Sequence, residues 1–424
     1  MGIFVEIQRV PGREARTDED KLKIRTHKYV KKILSEVCAF DMTNFTKIIH
    51  QDALGPDLKN VVQTLAISGD ISSVQADSDI NIIIYTANRH GPEAEQLQMN
   101  GDSEAVTASN HWILPSEDFI GLWENLIFEE GVKESIMDYA QAAMLFARSQ
   151  ISMNVISCNR IVLLHGPPGT GKTSLCRAVA QKMSIRFQEH YKFFHLVEIN
   201  SHSLFSKWFS ESGKLVQKLF SQLQDLVECP NSMVCILIDE IESVAFSRNA
   251  ISSNEPTDSI RAVNAILTQL DQIRKYSNVI ILATSNLTTS IDVAFLDRAD
   301  IKQFIGPPSS AAILQIYITM LQELLRVGLV RFPAHHPDQQ AYNVLLTSPT
   351  TSVSCFYNVP VDLASLCIES RGASGRTLRK IPMLAYANFI KERANTDLID
   401  CIKGMSRAMQ KHISDTANVN HANQ

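Results

Sequence analysis

The sequence predicts an α/β protein: a parallel sheet with helices on both faces, a small helical domain after it, and a small mixed α/β domain before it. Three observations carry that expectation. Four near-continuous apolar runs, RIVLLHG (160–166), FHLVEIN (194–200), VCILIDE (234–240) and NVIILATSN (278–286), are separated by helix-length amphipathic stretches, the pattern of strands buried on both faces. A glycine-rich turn, GPPGTGKT, joins the first run to the first of those helices. After Pro307 and Pro308 the strand signal stops and helical patterns take over.

In chain order, GIFVEIQRV alternates like a strand, a charged helical segment follows over 18–37, and SDINIIIYTAN (78–88) is a second apolar, β-branched run. Residues 90–110 are polar with two glycines and read as a linker or disordered loop. The expected organisation is therefore an N-terminal domain over 1–100, a linker over 101–113, a large α/β domain over 114–306 and a helical domain over 307–424. In the large domain, helices fall near 172–183, 213–228 and 258–274, and QFIGPP adds a short fifth strand. In the last domain, SSAAILQIYITMLQELLRVG, VDLASLCIESRG and GRTLRKIPMLAYANFIKERAN are helical. A loop around 332–359 interrupts them, and SDTANVNHANQ reads as a frayed polar tail.

Composition narrows the function. A chain of 424 residues, 45% hydrophobic and 20% charged, is globular and too long for a single core. Its formal net charge of −5 supplies no long-range attraction for nucleic acid. No apolar run approaches the roughly 20 residues needed to cross a bilayer, and the N-terminus lacks the layout of a secretory signal. A cytosolic or nuclear protein is expected. The eight cysteines are scattered singly, so reduced thiols are expected rather than a metal site or a disulfide framework.

The turn GPPGTGKT fits the phosphate-loop pattern in full: Gly166, Pro167, Pro168, Gly169, Thr170, Gly171, Lys172, Thr173, then Ser174 in the helix. Its glycines let successive N–H groups point at the β- and γ-phosphates of a nucleotide, and the helix that begins there adds its positive end. Lys172 supplies a point charge, and the Thr173 hydroxyl is a ligand for Mg²⁺. VCILIDE ends in Asp239, which can hold the same ion directly or through water, and Glu240, which can polarise the attacking water. A glutamate directly after the magnesium aspartate favours hydrolysis of ATP over transfer to a small acceptor. Asn286, ending the next strand, could reach the γ-phosphate and that water. AFLDRADIKQF sets Arg298 in an acidic turn, and GASGRTLRK sets Arg376 at the start of a helix. The pattern suggests an arginine finger for a neighbour's γ-phosphate in the first and a nucleotide sensor in the second.

This order of motifs resembles the AAA+ ATPases over residues 115–395, and SHSLFSKWFSESGKLV, DVAFLDRADIKQFIGPP and GASGRTLRKIP resemble the pachytene checkpoint ATPases in particular. The resemblance implies an AAA+ module in which a helical lid follows the ATPase core, assembled as a homohexamer with its sites between subunits. It also implies ATP-driven remodelling of HORMA-domain proteins, directly or through a HORMA-fold adaptor, from closed to open state. The settings it implies are meiotic chromosome axes and the spindle checkpoint, in nucleus and cytoplasm. SLFSKWFSESGK would then be a channel loop in which Trp208 and Phe209 grip extended polypeptide by shape, with Lys207 either assisting or solvated. Packing of Trp208 in the core is the alternative. Residues 246–259 read as a second channel loop or an ordinary surface loop. LPSEDFIGLWENLIFEE resembles the entry segment whose apolar side chains line the adenine pocket, with Leu122 and Trp123 as candidates; hydrophobic core contacts would produce the same pattern. The turn after the sensor strand carries one arginine where classical members carry two. The rival reading, an AAA+ motor on nucleic acid, calls for a channel rich in Lys and Arg, and SLFSKWFSES holds a single lysine.

Overall fold

The computed structural model describes residues 3–11, 18–37, 45–69, 80–97, 106–149, 151, 155–200, 212–243, 257–286, 291–332, 338–347, 359–390 and 395–422. The N-terminal domain is built from β1 (Ile3–Arg9), α1 (Glu19–Val37), β2 (Phe45–His50), the single turn α2 (Pro56–Lys59), β3 (Val62–Gly69) and β4 (Ile80–Tyr85). Its sheet has the order β2-β3-β1-β4, antiparallel except for the β1–β4 pair. Side chains alternate across a strand. Ile3, Val5 and Ile7 accordingly pack with Leu22, Val30 and Leu34 of α1, while Phe4 and Glu6 face the central domain of the chain. The strands β2 and β3 are additions to the sequence expectation.

The central domain carries β5 (Glu93–Leu97), β6 (Val106–Leu114), α3 (Leu122–Asn125), α4 (Val132–Arg148), β7 (Ile161–His165), α5 (Lys172–Arg186), β8 (Phe193–Ile199), α6 (Ser212–Val227), β9 (Ser232–Ile238), α7 (Thr257–Ile273), β10 (Val279–Ser285), α8 (Val293–Arg298) and β11 (Ile301–Phe304). The sheet order is β11-β7-β10-β9-β8-β6-β5, and the five strands from β11 to β8 are parallel. Alternate residues of each strand serve opposite faces. Ile161, Leu163, Ile236 and Ile281 pack against α6 and α7, and Val162, Leu164, Leu237 and Leu282 pack against α4 and α5. Burial on both faces is why these strands read as unbroken apolar runs.

Two expectations are corrected here. The stretch read as a loop over 90–110 and a linker over 101–113 contains β5 and most of β6, an antiparallel pair that extends the central sheet through β8. Backbone ladder bonds pair the two strands and Ser109 Oγ donates to Glu95 Oε2 at 2.9 Å, while Ala108, Trp112 and Leu114 of β6 are buried in the core. The region 332–359, read as a loop, includes a helix.

That helix belongs to the C-terminal domain, composed of α9 (Ser310–Arg326), β12 (Val330–Arg331), α10 (Gln339–Thr347), α11 (Val361–Glu369), α12 (Gly375–Asn388), β13 (Thr396–Asp397) and α13 (Leu398–Ala422). Tyr317, Tyr342, Leu363, Leu378, Leu398 and Met405 meet in its core. The polar tail is not frayed as expected but continues α13 to Ala422. No helix among the described residues is long and apolar enough to cross a membrane.

Candidate active site

The phosphate loop joins the end of β7 to the start of α5, and backbone geometry explains its glycines. Gly166, Gly169 and Gly171 have φ of 143°, 77° and 98°, a region L side chains rarely adopt. A Cβ on Gly166 would stand 2.2 Å from the Ile305 carbonyl oxygen. Gly166→Ala is therefore expected to weaken nucleotide binding at least about tenfold, measured by titration with a fluorescent ATP analogue. Pro167 and Pro168 are exposed on the loop's outer side, Thr170 Oγ1 donates to the Pro167 carbonyl at 3.0 Å, and Ser174 is half-buried in the first turn of α5.

Lys172 is buried, and its Nζ donates to the carbonyls of Gly166 at 2.8 Å and Pro167 at 2.7 Å. Burial holds this ammonium below its ordinary pKa, opposed by the charges of Glu242 and Asp239. One residue on, Thr173 Oγ1 donates to Asp239 Oδ1 at 2.7 Å. The loop and the end of β9 are thus brought together as the sequence predicted. The Thr284 hydroxyl on β10 also donates to Asp239 Oδ1, and it accepts the Glu240 N–H at 3.1 Å.

Glu240 is exposed and adopts φ 53°, which turns the chain sharply off the strand end. Asn286, directly after β10, donates from Nδ2 to Glu240 Oε1 at 3.1 Å. Its own N–H is bonded to Glu242 Oε1 at 2.9 Å. Thr284 and Glu242 escaped the sequence reading, although each had a signal: Thr284 is two residues before Asn286 on the same strand face, and Glu242 is the third acid of IDEIES.

The helical domain closes on the loop. The Arg376 N–H donates to the Gly169 carbonyl at 3.0 Å, and a Cβ on Gly169 would meet Ser374 Oγ at 2.9 Å. Ser374 caps α12 by accepting from the Thr377 N–H, which places Arg376 in the helix's first turn above the phosphate loop. Arg379 of the same helix donates to the Asn125 carbonyl.

The adenine-pocket expectation is corrected. Trp123 is 5% exposed and packed in the core of the central domain, with Lys133 Nζ 5.1 Å from its ring centroid, and Leu122 packs partly buried on that core. The residues that meet the loop are Leu126 and Phe128, 3.5 and 3.3 Å from a Cβ built on Gly171, while Ile127 between them packs in the core of the helical domain. The chain leaves α3 in extended conformation at Leu126, so successive side chains point to opposite sides and bridge the two domains.

Arg298 ends α8 and makes no bond to its own phosphate loop among the described residues. It is forked onto Asp271, with Nε to Oδ1 at 3.1 Å and Nη2 to Oδ2 at 2.9 Å, and Nη1 reaches the Ala294 carbonyl at 2.7 Å. That hydrogen-bonded fork holds the Asp271 carboxyl below the usual carboxylate range. Lys207, Trp208 and Phe209 lie outside the described residues, as do residues 246–256 of the other channel-loop candidate.

Residues 162–307 match the model of the ATPase family associated with various cellular activities (AAA), and residues 309–413 match the TRIP13-like AAA+ ATPase lid C-terminal domain. The lid match runs across the 332–359 region and along α13 as far as residue 413. The human pachytene checkpoint protein 2 homolog is 47% identical over 338 residues, covering 78% of this chain and 76% of that protein. The pig homolog is 41% identical over 426 residues, covering 97% and 94%. Among solved structures, C. elegans PCH-2 superposes with a TM-score of 0.75 at 33% identity over 97% of this chain and 99% of that one. A chain of the E. coli MS115-1 HORMA:CdnC:Trip13 complex shares the fold, with a TM-score of 0.51 at 16% identity over 71% of this chain and 94% of that one.

Proposed function

Since this chain belongs to the pachytene checkpoint protein 2 family of AAA+ ATPases, we propose that it couples ATP hydrolysis to remodelling of HORMA-domain proteins, partly unfolding a closed, partner-bound form and releasing an open one. ATP binding and hydrolysis follow from the family. The observation that carries the catalytic assignment is the double tie of the site, Thr173 to Asp239 and Asn286 to Glu240. Lys172 exchanges its two loop carbonyls for phosphate oxygens, and the first N–H groups of α5 complete the cradle. Glu240 takes the proton of the attacking water while Asn286 holds the carboxylate in place. The Thr173 hydroxyl and Asp239 carboxylate are hard oxygens 2.7 Å apart, a donor pair that suits Mg²⁺, an ion that keeps water and phosphate oxygens in most of its shell. When bound, Mg²⁺ neutralises charge on the phosphates.

The remaining assignments rest on the family. The working form is a homohexamer in which Arg298 leaves Asp271 for the neighbour's γ-phosphate and Arg376 reports nucleotide state from the lid. Lys207, Trp208 and Phe209 form the loop that grips the substrate, and the N-terminal domain receives substrate or a HORMA-fold adaptor. Support for the substrate class is kinship with pachytene checkpoint protein 2 and the fold shared with a chain of a complex whose name pairs HORMA with Trip13. Action on meiotic chromosome axes and in the spindle checkpoint, in nucleus and cytoplasm, belongs to the same proposal.

ATPase assays with a HORMA-domain protein and with single-stranded DNA, run side by side, test it: stimulation by the HORMA protein alone is expected. Stimulation by DNA alone would replace this reading with a nucleic-acid motor. Trp208→Ala is expected to keep most basal turnover and to slow closed-to-open conversion at least about tenfold, and normal conversion would place the grip elsewhere.

A further inference from the structure

Three carboxylates lie within four residues at the end of β9, and two of them, Asp239 and Glu240, are used above. The third, Glu242, sits in the short 3-10 turn Ile241–Ser243 and is 6% exposed. A glutamate that only decorated a turn would point to water, since burying a carboxylate costs several kcal/mol unless it is matched (order of magnitude). This one is turned inward. Its Oε1 accepts the Asn286 N–H at 2.9 Å, and its Oε2 is buried with no hydrogen-bond partner among the described residues.

The bond has a specific address. Asn286 is the first residue after β10, and its Nδ2 is the group that donates to Glu240 Oε1 at 3.1 Å. The connections form a closed ring: from Glu240 along the chain to Glu242, across to the Asn286 backbone, out along its side chain, and back to the Glu240 carboxylate. The Glu240 N–H is held separately by the Thr284 hydroxyl at 3.1 Å. Without Glu242 the main chain of Asn286 would lose the acceptor that fixes it, and the amide end would carry that freedom to Glu240.

We propose that Glu242 is a positioning residue for ATP hydrolysis: it fixes the backbone of Asn286 so that the Asn286 amide presents the Glu240 carboxylate to the attacking water. This rests on the reading of Glu240 and Asn286 as the hydrolytic pair. The role is geometric and operates through a hydrogen-bond acceptor, so it makes different demands on substitutions than a charge would. Glutamine keeps an oxygen for the Asn286 N–H; alanine does not.

The test measures steady-state ATPase activity and binding of a fluorescent ATP analogue by the full chain carrying Glu242→Ala, Glu242→Gln, Asn286→Ala and the Glu242→Ala/Asn286→Ala pair. Glu242→Ala is expected to lower kcat about 10- to 30-fold with nucleotide affinity held within about threefold, and Glu242→Gln to recover to within about threefold of the parent. The double variant should be no slower than Asn286→Ala alone, since groups acting through one another do not lose activity twice. Multiplying losses, or Glu242→Gln as impaired as Glu242→Ala, would overturn the proposal. Normal turnover in Asn286→Ala would overturn the pair itself, and Glu242 with it. If Glu242→Ala does not fold, Glu242→Met, of similar volume but without an acceptor oxygen, makes the same comparison.

Discussion

Glu240→Gln is expected to bind ATP with affinity within about threefold of the parent and to release phosphate at least about 100-fold more slowly. Glutamine preserves the side chain's volume and the oxygen that accepts from Asn286 Nδ2, so the ring of contacts around the strand end survives. What it lacks is a basic carboxylate at an exposed position where water can reach it. Loss should fall on kcat because the group acts on the water in the transition state, whereas Lys172 and the loop glycines hold the nucleotide in ground and transition state alike. Phosphate-release kinetics beside nucleotide titration separate the two quantities. Undiminished release would mean that the proton goes to a different group.

Lys182→Met is expected to lower stability by about 3–5 kcal/mol, because it leaves Glu124 buried without its ion-pair partner and Glu6 with Arg186 alone. Lys182 lies in the last part of α5, the helix that begins at the phosphate loop, and its Nζ binds Glu6 of β1 and, at 2.6 Å, Glu124 of α3. The side chains are 4%, 1% and 6% exposed, respectively. Arg186 adds a second cation to Glu6 at 3.3 Å, with its guanidinium carbon 4.1 Å from the ring centroid of Phe4. Burial works against the Lys182 charge, yet Glu124 and Glu6 outweigh it and hold the ammonium above its ordinary pKa. The same surroundings leave Glu124 below the usual carboxylate value: burial opposes its charge and Lys182 more than restores it. This cluster ties the N-terminal domain to the ATPase domain, so its loss should appear as a drop of roughly 10 °C in thermal unfolding. Arg89→Ala is the control. It removes a pair at 3.0 Å whose side chains are 62% and 34% exposed, worth under about 1 kcal/mol. Equal melting temperatures for the two variants would show that the cluster contributes no more than a surface pair. Adding Glu124→Gln to Lys182→Met should recover part of the loss, since the carboxylate left without its ion-pair partner is then neutral while Glu6 keeps Arg186.

The parallel sheet was legible in the sequence because strands covered on both faces have no polar side to show, and β7 through β10 read as unbroken apolar runs. The phosphate loop was legible because only glycine tolerates φ of 77° to 143° at its bends, so the requirement is written as composition. Strand β5 and the start of β6 were not legible: they lie at the margin of the sheet, paired by ladder bonds and by polar contacts such as Ser109 to Glu95, and carry no apolar run to mark them. The entry segment misled for a related reason. Leu122 and Trp123 are apolar enough to line a pocket, but a single turn of helix ending at Asn125 rotates them into the core and delivers Leu126 and Phe128 to the loop.

By itself the sequence determined that this chain binds and cleaves a nucleoside triphosphate, since binding needs particular residue types at short, fixed separations along one strand–turn–helix, and Asp239, Glu240 and Asn286 stand directly after later apolar strands. Tertiary structure alone decided which groups hold those residues still, Thr284 and Glu242 around the strand ends and Ser374 against the loop, and which charges join the domains, with Glu6 on Lys182 from 176 residues away. Contacts of that kind depend on where the fold brings distant backbone together and on which charges it withdraws from water. Neither quantity is a local property of the chain.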